Sequence, residues 1–437
     1  MSPTYAAVIG AGPSGLYAVH ALLEADPAIR IDVFEALPTP LGLLRYGVAP
    51  DHLKIKALAP SLEAALAHPR VRLAGNVRVG RDVSVETLRT HYDIVVHAFG
   101  AERSRRLGVP GEQMHGSVAA ADLISWYSGK PGAAAPRLPA RVRTAVVIGA
   151  GNVALDVARF LARRAEDLRA TDVPSAVLSW LADAGIEDLH LVVRRSPAEV
   201  KFSSKELREL VSLPGAHTLV HGVELPEDGM VPPHLRRTVR VLRDAVTTGT
   251  PTGGLRLHFH FGTRPVEVLG NGKVERIRLA GPAGLQEFDA QLLISAIGYL
   301  GTDVPDVPMS SSSAVAAQGP RVVRDGSVSP GEYVTGWARR GATGVLATNR
   351  ADGEAVAAAV IEDAGGLISR RTSSPDALLN RLRARRIVVD AEGWARIQAA
   401  EQDEGRLLGR DRVKIADPRR LLAAASAADS LTREVAS

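Results

Sequence analysis

The chain has 437 residues, which is too long for one ordinary hydrophobic core and predicts about two domains. The composition, 46% hydrophobic and 23% charged, is typical of a soluble globular protein, and the lack of cysteine excludes disulfides, a cysteine-bound iron–sulfur cluster and a dithiol relay. The net charge of +5 favours acidic partners or phosphate groups, but no basic tail supports nucleic-acid binding.

The first predicted element is the apolar run Tyr5–Ile9, which is suited to a buried parallel strand. It begins so early that a signal or transit peptide has no room, and no apolar run reaches membrane-spanning length. We therefore expect a cytoplasmic protein without a membrane segment.

The first strand leads into a dinucleotide-binding turn, Gly10-Ala-Gly12-Pro-Ser-Gly15, followed by a helical pattern. The first glycine permits the tight turn, the second lets the backbone approach a pyrophosphate, and the third lets helix and strand pack closely. The next predicted strand, Ile29 to Phe34, ends at Glu35, where an acid can accept hydrogen bonds from a ribose hydroxyl.

A second unit of the same kind follows the strand Thr144–Ile148. Its turn is Gly149-Ala-Gly151-Asn-Val-Ala154, with alanine as an accepted third residue. The strand after it, Leu189–Val193, ends in Arg194-Arg195 rather than in an acid. Paired guanidinium donors suit the 2′-phosphate that separates NADP from NAD, although two arginines can also be a solvated strand end.

The two units together indicate two cofactors, FAD in the first and NADP(H) in the second. A degenerate duplicate would leave the arginine pair unexplained. The predicted fold class is α/β, with two Rossmann-like dinucleotide-binding domains.

The order of the domains follows from two similar segments, DIVVHAFGA at 93–101 and QLLISAIGY at 291–299. Each is an apolar strand that ends in Ala-x-Gly, and such strands mark passages between the two domains of flavoproteins with two dinucleotides. We predict an FAD domain at 1–103 and 329–365, interrupted by an NADP domain at 104–328. Residues 304–320 are predicted to form a surface loop, and 366–437 a C-terminal extension of unknown role.

With these residues in place, the chain resembles the NADPH-dependent ferredoxin reductases of the adrenodoxin-reductase type. The resemblance covers roughly residues 5–365. It depends on the strings GLLRYGVAPDH (42–52), GNVRVGRDV (75–83), GAGNVALDVAR (149–159), VVRRSP (192–197), KELRELVSLPG (205–215) and GWARRGATGV (336–345).

The resemblance implies an NADPH-oxidising flavoprotein that reduces a ferredoxin, and the downstream acceptor could be a cytochrome P450. A flavin suits this role because it takes a hydride and returns single electrons. The FAD contacts it implies are Ser14, Glu35, Leu43, Val79, Trp337, Gly344, Val345 and Leu346. The NADP contacts it implies are Ala150, Gly151, Asn152 and Val153 at the pyrophosphate, Arg194, Arg195 and Glu206 at the adenosine end, and Gly344 at the nicotinamide.

Two positions depart from the family pattern. Ala150 stands where mitochondrial members carry glutamine, which removes a side-chain hydrogen bond to the cofactor. Ala342 replaces a proline in the Gly-Pro-Thr-Gly turn, which should loosen that loop.

In the family, the residues that match His52 and Glu209 line the nicotinamide pocket and relay protons. His52 could instead be a loop histidine held by Asp51, and Glu209 a solvated helix acid. Glu206 also has an alternative role, since Ser203-x-x-Glu206 fits a capping box.

Arg236, Arg240 and Arg243 fall at i, i+4 and i+7, on one face of a predicted helix. An ordinary solvated face has the same pattern, but an acidic ferredoxin would associate faster with such a patch. Other flavoenzymes fit less well: the signature of flavin monooxygenases is missing, and glutamate-synthase-like subunits and disulfide reductases need cysteines. A non-catalytic flavoprotein fold would not need the second turn and its arginines.

Overall fold

The computed structural model describes residues 3–247, 253–311, 313–366 and 371–434, with 427–434 described as backbone only. Within these ranges, a seven-stranded sheet has the order β16-β17-β18-β4-β1-β2-β3. Neighbours from β18 to β3 pair in parallel, whereas β16, β17 and β18 pair antiparallel. The strands are β1 (Tyr5–Ile9), β2 (Arg30–Phe34), β3 (Val71–Ala74), β4 (Ile94–His97), β16 (Ala317–Gln318), β17 (Arg321–Arg324) and β18 (Ser327–Val334).

A second, six-stranded parallel sheet has the order β6-β14-β7-β8-β10-β9. Its strands are β6 (Ser117–Ala119), β7 (Thr144–Ile148), β8 (Asp188–Val193), β9 (Ala216–His221), β10 (Leu255–Phe261) and β14 (Leu292–Ser295). An antiparallel meander of β11 (Arg264–Leu269), β12 (Arg276–Gly281) and β13 (Gly284–Asp289) packs its apolar side chains with those of β7, β8 and β14. The two sheets thus follow the predicted α/β class.

Helices connect and cover these strands. Those of the first sheet are α1 (Pro13–Ala25), α2 (Gly42–Tyr46), α3 (Leu53–Lys56), α4 (Ala59–Glu63), α5 (Val85–His91), α11 (Gly336–Arg340) and α12 (Leu346–Asp363). Those between strands of the second sheet are α6 (Ala120–Tyr127), α7 (Asn152–Ala162), α8 (Ser175–Ala184), α9 (Ser204–Val211) and α10 (Arg236–Ala245). The end of the chain forms α13 (Pro375–Arg383), α14 (Ala391–Leu407) and α15 (Pro418–Glu434). A search of the described helices finds none that combines the length and apolarity of a membrane span.

The repeated Ala-x-Gly segments have the same structural task in both sheets. A Cβ on Gly10 would lie 2.5 Å from the carbonyl oxygen of Ala98, and one on Gly149 would lie 2.4 Å from that of Ala296. Each segment therefore presses its alanine carbonyl against the first glycine of a turn. A Cβ on Gly15 would lie 1.9 Å from the carbonyl oxygen of Gly10, which confirms the close packing of helix and strand.

The two passages between the sheets pair with each other. β5 (Arg103–Ser104) and β15 (Tyr299–Leu300) form a short antiparallel ladder, and the backbone N–H of Arg105 donates to the carbonyl oxygen of Gly298 at 3.1 Å. The chain leaves the first sheet and returns to it through one two-stranded connection.

The C-terminal segment is part of the fold rather than an appendage. Trp394, Ile397 and Leu421 are buried in the core of the first sheet, and Val389 forms an isolated bridge with Gly75. The sequence gives no local sign of this packing, because the partners are some 300 residues away. Of the predicted extension 366–437, residues 367–370 and 435–437 lie outside the described part of the chain.

Buried charged side chains fix the C-terminal segment to its surroundings. Arg45 donates Nη2 to both carboxylate oxygens of Glu401 at 2.5 and 2.6 Å, and both side chains are buried. Lys414 Nζ donates to the carbonyl oxygens of Arg45 (2.8 Å) and Ser128 (3.0 Å) and lies 2.8 Å from Asp172 Oδ2. Asp172 lies between α7 and α8, so the segment contacts elements of both sheets.

The surface loop predicted for 304–320 is correct for the irregular, exposed or half-buried residues that make up most of the stretch, and wrong at its buried valines. Val304, Val307 and Val315 are buried against the core of the first sheet, and β16 lies within the same stretch. These valines belong to the same buried cluster as Val79. Ser312 lies outside the described residues.

Candidate active site

A cavity of about 420 Å³ opens where the two glycine turns face each other. Its volume is within the range of about 300–1,000 Å³ that is common for small-molecule sites. The part of the chain that carries the first sheet contributes these lining residues: Gly10, Gly12, Ser14, Glu35, Leu43, Val79, Trp337, Gly344, Val345 and Leu346. The helices beside the second sheet contribute Asn152, Val153, Asp156 and Glu206, and His52 also borders the cavity.

The first turn leaves donors free at the start of α1. Gly12 is the N-cap residue and no side chain caps the helix, while a Cβ there would find its nearest neighbour 3.8 Å away. An approaching phosphate would meet open backbone N–H groups and the positive end of the helix dipole. Glu35 accepts hydrogen bonds from the backbone N–H groups of Ala11 and Leu37, both at 2.9 Å, and burial raises its pKa.

The third side of the cavity is the loop that begins at Gly336. This glycine has φ of +61°, and a Cβ on it would lie 2.0 Å from Ser14 Oγ. Trp337 donates Nε1–H to the carbonyl oxygen of Thr343 at 2.9 Å, and its ring lies 5.7 Å from that of Tyr299. The loop thus brings an aromatic plane to the junction of the two sheets.

The second turn repeats the free helix terminus. Gly151 is the N-cap of α7 without a side-chain cap, and a Cβ on it would meet nothing within 4 Å. Asn152 Oδ1 accepts from the backbone N–H of Ser203 at 2.8 Å. The carbonyl oxygen of Ala150 accepts from the backbone N–H of Lys201 at 2.9 Å, so both residues fasten the turn to the segment before α9.

Arg194 and Arg195 are exposed at the end of β8, as the sequence predicts. Neither has an ion pair with any described residue. Their donors are therefore available to a phosphate group. Glu206, expected beside them, instead contacts His52 and Arg159 at the cavity.

These features fit two dinucleotides on structural grounds. Two uncapped helix N-termini flank one cavity, both central glycines leave open space, and the buried Thr302 Oγ on the cavity wall has no hydrogen-bond partner within the described structure. A phosphate at each helix N-terminus would accept from the free backbone N–H groups, and a polar ring in the cavity would accept from the Thr302 hydroxyl.

His52 is held by groups from two other helices. Its Nε2 lies 2.9 Å from Glu209 Oε2, 3.2 Å from Glu206 Oε2 and 2.6 Å from Arg159 Nη2. A neutral Nε2 accepts from Arg159, whereas a protonated Nε2 donates to one of the two carboxylates. The same nitrogen can therefore take up or release a proton by exchanging partners. Asp51, the alternative partner suggested by the sequence, is instead bound by Arg159 and Arg163.

Arg159 organises this cluster and is not among the site residues predicted from the sequence. Its side chain is fully buried and donates to Asp51 (Nε–Oδ2, 2.7 Å; Nη2–Oδ1, 3.1 Å) and to Asp156 Oδ1 (2.8 Å). Asp156 and Arg159 both lie in the string GAGNVALDVAR, at the i, i+3 spacing that places side chains on one helix face. That spacing was the available signal.

The carboxyl groups around Arg159 differ in their pKa values. Burial, with the charge of Glu206, raises the pKa of Asp156 to about 6 although Arg159 and His52 oppose this shift. Burial alone would also raise the pKa of Asp51, but the hydrogen bond and charge of Arg159 lower it to about 2. The hydrogen bond with His52 lowers the pKa of Glu206. Although burial lowers the pKa of His52, the carboxylates raise it above its ordinary value.

The capping box predicted at α9 is half formed. Ser203 Oγ accepts from the backbone N–H of Glu206 at 3.2 Å, so serine caps the helix. The reciprocal bond is absent, since Asn152 occupies the N–H of Ser203. The Glu206 side chain is thereby left for His52.

The predicted arginine face on α10 exists but is partly neutralised. Asp228 pairs with Arg240 and lies 3.4 Å from Arg243 Nη1, while Arg236 Nε donates to the carbonyl oxygen of Val231 at 3.2 Å. Arg236 and Arg240 are exposed and Arg243 is half-buried.

The chain is similar in sequence and in structure to known oxidoreductases. The sequence pattern of the Pyridine nucleotide-disulphide oxidoreductase family matches residues 5–211. NADPH-ferredoxin reductase FprA of Mycobacterium tuberculosis is 37% identical over 97% of this chain and 99% of its own length. The mitochondrial NADPH:adrenodoxin oxidoreductase of Salvelinus fontinalis is 33% identical over 96% and 91%. The solved structure of M. tuberculosis FprA in complex with NADPH superposes with a TM-score of 0.91 at 36% identity, covering 97% of this chain and 99% of the other.

Proposed function

The chain belongs to the NADPH-dependent ferredoxin reductases of the adrenodoxin-reductase type, and we propose that it oxidises NADPH and passes single electrons to a ferredoxin-type iron–sulfur protein. The observation that carries this proposal is that the starts of both uncapped helices border one shared cavity. Bound there, FAD supplies the conversion of a hydride into single electrons, and the chain supplies binding, orientation and exclusion of water.

The first turn and the Gly336 loop would hold FAD. We assign FAD to the side of the cavity that the glycines of this turn border. Glu35, already fixed by two backbone donors, retains lone pairs for a ribose hydroxyl. The full set is Gly10, Gly12, Ser14, Gly15, Glu35, Leu43, Val79, Trp337, Gly344, Val345 and Leu346; Gly15 acts by letting the helix approach the strand.

The second turn would hold NADP(H), with Ala150, Gly151, Asn152 and Val153 at the pyrophosphate and Gly344 near the nicotinamide. The free arginines Arg194 and Arg195 support a 2′-phosphate site. The contacts of Glu206 support a place beside His52, rather than at the adenosine end that the resemblance implies.

His52 and Glu209 would relay protons at the nicotinamide end of the cavity. The 2.9 Å contact between Nε2 and Oε2 supports this role, and the half-exposed Glu209 offers a path to solvent. Asp156, whose pKa is about 6, is a further acceptor 3.7 Å from the same nitrogen.

An acidic ferredoxin would dock on the face formed by Arg236, Arg240 and Arg243. Two exposed guanidinium groups there support the proposal, and Asp228 reduces their net field. Raising the salt concentration should slow ferredoxin reduction by the native chain and slow it much less in Arg236→Ala/Arg240→Ala. Equal salt dependence of both proteins would exclude this face.

We also propose the domain division given by the sequence: FAD domain at 1–103 and 329–365, NADP domain at 104–328. The paired passages β5 and β15 support it. A cytoplasmic location stays a prediction.

An anaerobic titration tests the proposed activity. The visible flavin band of the purified protein should bleach at about one equivalent of NADPH, with NADH much less effective. A yellow protein that NADPH does not bleach would contradict hydride transfer, and a colourless protein would contradict the FAD assignment.

A further inference from the structure

Four histidines occupy one face of the second sheet, at the edge near β9. His190 on β8 lies directly beside His258 on β10, and His260 on β10 lies directly beside His221 on β9. Because side chains alternate along a strand, His258 and His260 point to the same face, as do Asp188 and His190. A third of the twelve histidines of the chain thus meet in one place, remote in sequence from both glycine turns.

The four rings form two hydrogen-bonded pairs. His190 Nδ1 lies 2.9 Å from His260 Nε2, and His258 Nδ1 lies 3.0 Å from His221 Nε2. The pairs are stacked, with 4.3 Å between the ring centroids of His190 and His258. Phe288 of the meander stacks on the other side of His190, at 4.4 Å.

In these pairs, His190 and His258 each keep one ring nitrogen that does not bond to another histidine. With Nδ1 of His190 and of His258 occupied, Nε2 remains on both. His258 Nε2 lies 2.9 Å from Asp188 Oδ1, and one donor atom each from Asp188, His190 and His258 lies within 4.8 Å of the other two. Donors that share one zinc ion at about 2.0–2.1 Å stand roughly 3–3.5 Å apart, and an imidazole binds through the lone pair in its ring plane. Because the rings of His190 and His258 are stacked at an interplanar angle of 6°, one ring must rotate as the donors close on the ion.

We propose that Asp188, His190 and His258 form a binding site for a divalent transition-metal ion of the zinc type. Two imidazoles and one carboxylate are a common donor set for Zn²⁺. His260 and His221 would accept the Nδ1–H hydrogen bonds of the ligands, which is how outer groups orient metal-binding histidines. The site is independent of cofactor binding and of the proposed function.

Solvent can reach the site from one side. The side chains of His258 and Asp188 retain 14% and 17% of their exposure, whereas His190 and His260 are buried. An ion could therefore enter from the Asp188 side and keep a water molecule in the open coordination position.

One neighbour opposes a cation. Arg256 donates Nε to Asp188 Oδ1 at 2.6 Å and Nη2 to Oδ2 at 2.5 Å. An ion must share the carboxylate with this guanidinium, which lowers the affinity and gives the proposal a specific test. If Asp188 is a ligand, removal of Arg256 must strengthen metal binding.

Titration of tag-free, chelator-treated protein with ZnCl₂ in a calorimeter tests the proposal. We expect one saturable ion per chain, an affinity at least about tenfold lower in His258→Gln and Asp188→Asn, and an affinity about tenfold lower in His221→Phe. Arg256→Gln should bind more tightly than the native chain. His234→Gln, a change at an exposed histidine elsewhere, is the matched control and should bind like the native chain.

Two results would overturn the site. One is the absence of a saturable ion in both the native chain and Arg256→Gln, a variant that removes only a half-exposed side chain. The other is binding that persists in His258→Gln and disappears in Glu209→Gln, because the ion would then lie among His52, Glu206 and Glu209. Circular dichroism of each variant separates loss of a ligand from loss of the fold.

Discussion

Arg159 on α7 donates to both carboxylate oxygens of Asp51, the residue directly before His52. The bond joins the helix of the second glycine turn to a loop of the first sheet. It therefore fixes the position of His52 from across the cavity. The guanidinium also counters the charges of Asp156 and Glu206, so its removal would leave one cation fewer, with only His52 and Arg163, among three carboxylates that are buried or half-buried.

Arg159→Gln should lower the free energy of unfolding by about 3–5 kcal/mol, as is usual when one partner of a buried ion pair is removed. Urea denaturation measures this. Arg163→Gln is the matched control, since Arg163 also contacts Asp51 but is partly exposed, and it should lose no more than about 1 kcal/mol. Equal losses in both variants would show that burial of Arg159 is not the cause.

Asp156→Asn should change the pH dependence of stability. Because burial raises the folded pKa of Asp156 to about 6, the folded state holds its proton more tightly than the unfolded chain. This residue therefore contributes stability at low pH that is lost as the pH rises from about 4 to about 6. Relative to the native chain, the variant should gain about 3 kcal/mol across that window in urea unfolding. A constant difference between the two proteins would contradict the shift.

Glu401→Gln should lower the free energy of unfolding by about 3 kcal/mol, because it leaves the buried guanidinium of Arg45 without its counter-charge. Glu404→Gln, on the same helix, removes an ion pair with the exposed Arg420 and should lose less than about 1 kcal/mol. Thermal or urea unfolding compares them. Similar effects would mean that the C-terminal helices are held by apolar packing alone.

Gly336→Ala should weaken FAD retention. Its new Cβ would lie 2.0 Å from Ser14 Oγ, so the Trp337 loop must move away from the cavity. The ratio of flavin to protein absorbance after gel filtration measures retention. Ser14→Gly in the same chain removes the obstructing atoms and should restore part of it. Gly341→Ala has a similar positive φ but nothing within 4 Å, and tests for backbone strain alone.

Arg194→Ala/Arg195→Ala should raise KM for NADPH about 10–100-fold while kcat and the kinetics with NADH stay unchanged, since hydrogen bonds to charged groups contribute about 1.5–3 kcal/mol. Steady-state reduction of ferricyanide measures both cofactors. Arg164→Ala, a change at an exposed arginine just after α7, is the control. An unchanged preference for NADPH would mean that the pair is only a solvated strand end.

Features encoded over a few neighbouring residues could be predicted from the sequence. The glycine turns, β1 and β7, and the exposed arginines at the end of β8 all depend on spacing within one strand–turn–helix unit. The repeated Ala-x-Gly segments are also recognisable in the sequence, although their contact with Gly10 and Gly149 is visible only in three dimensions.

Features that depend on distant partners could not be predicted. His52 meets Arg159 across 107 residues, and Trp394 is buried in a core that includes residues from the other end of the chain. Buried valines among prolines, as at Val304 and Val307, look like an exposed loop because the surface that covers them is far away in sequence. The alternation of histidine in LHFHF was a local signal, but its partners on β8 and β9 came from the sheet register.

The short ladder of β5 and β15 joins the two sheets where the chain passes from one to the other. The C-terminal segment adds a second attachment, because Lys414 bonds to Ser128 and Asp172 while Glu401 on the same segment holds Arg45. Because these contacts lie away from the ladder, they resist rotation of one sheet relative to the other about it. The segment that carries Glu401 and Lys414 therefore opposes opening of the cleft between the two glycine turns.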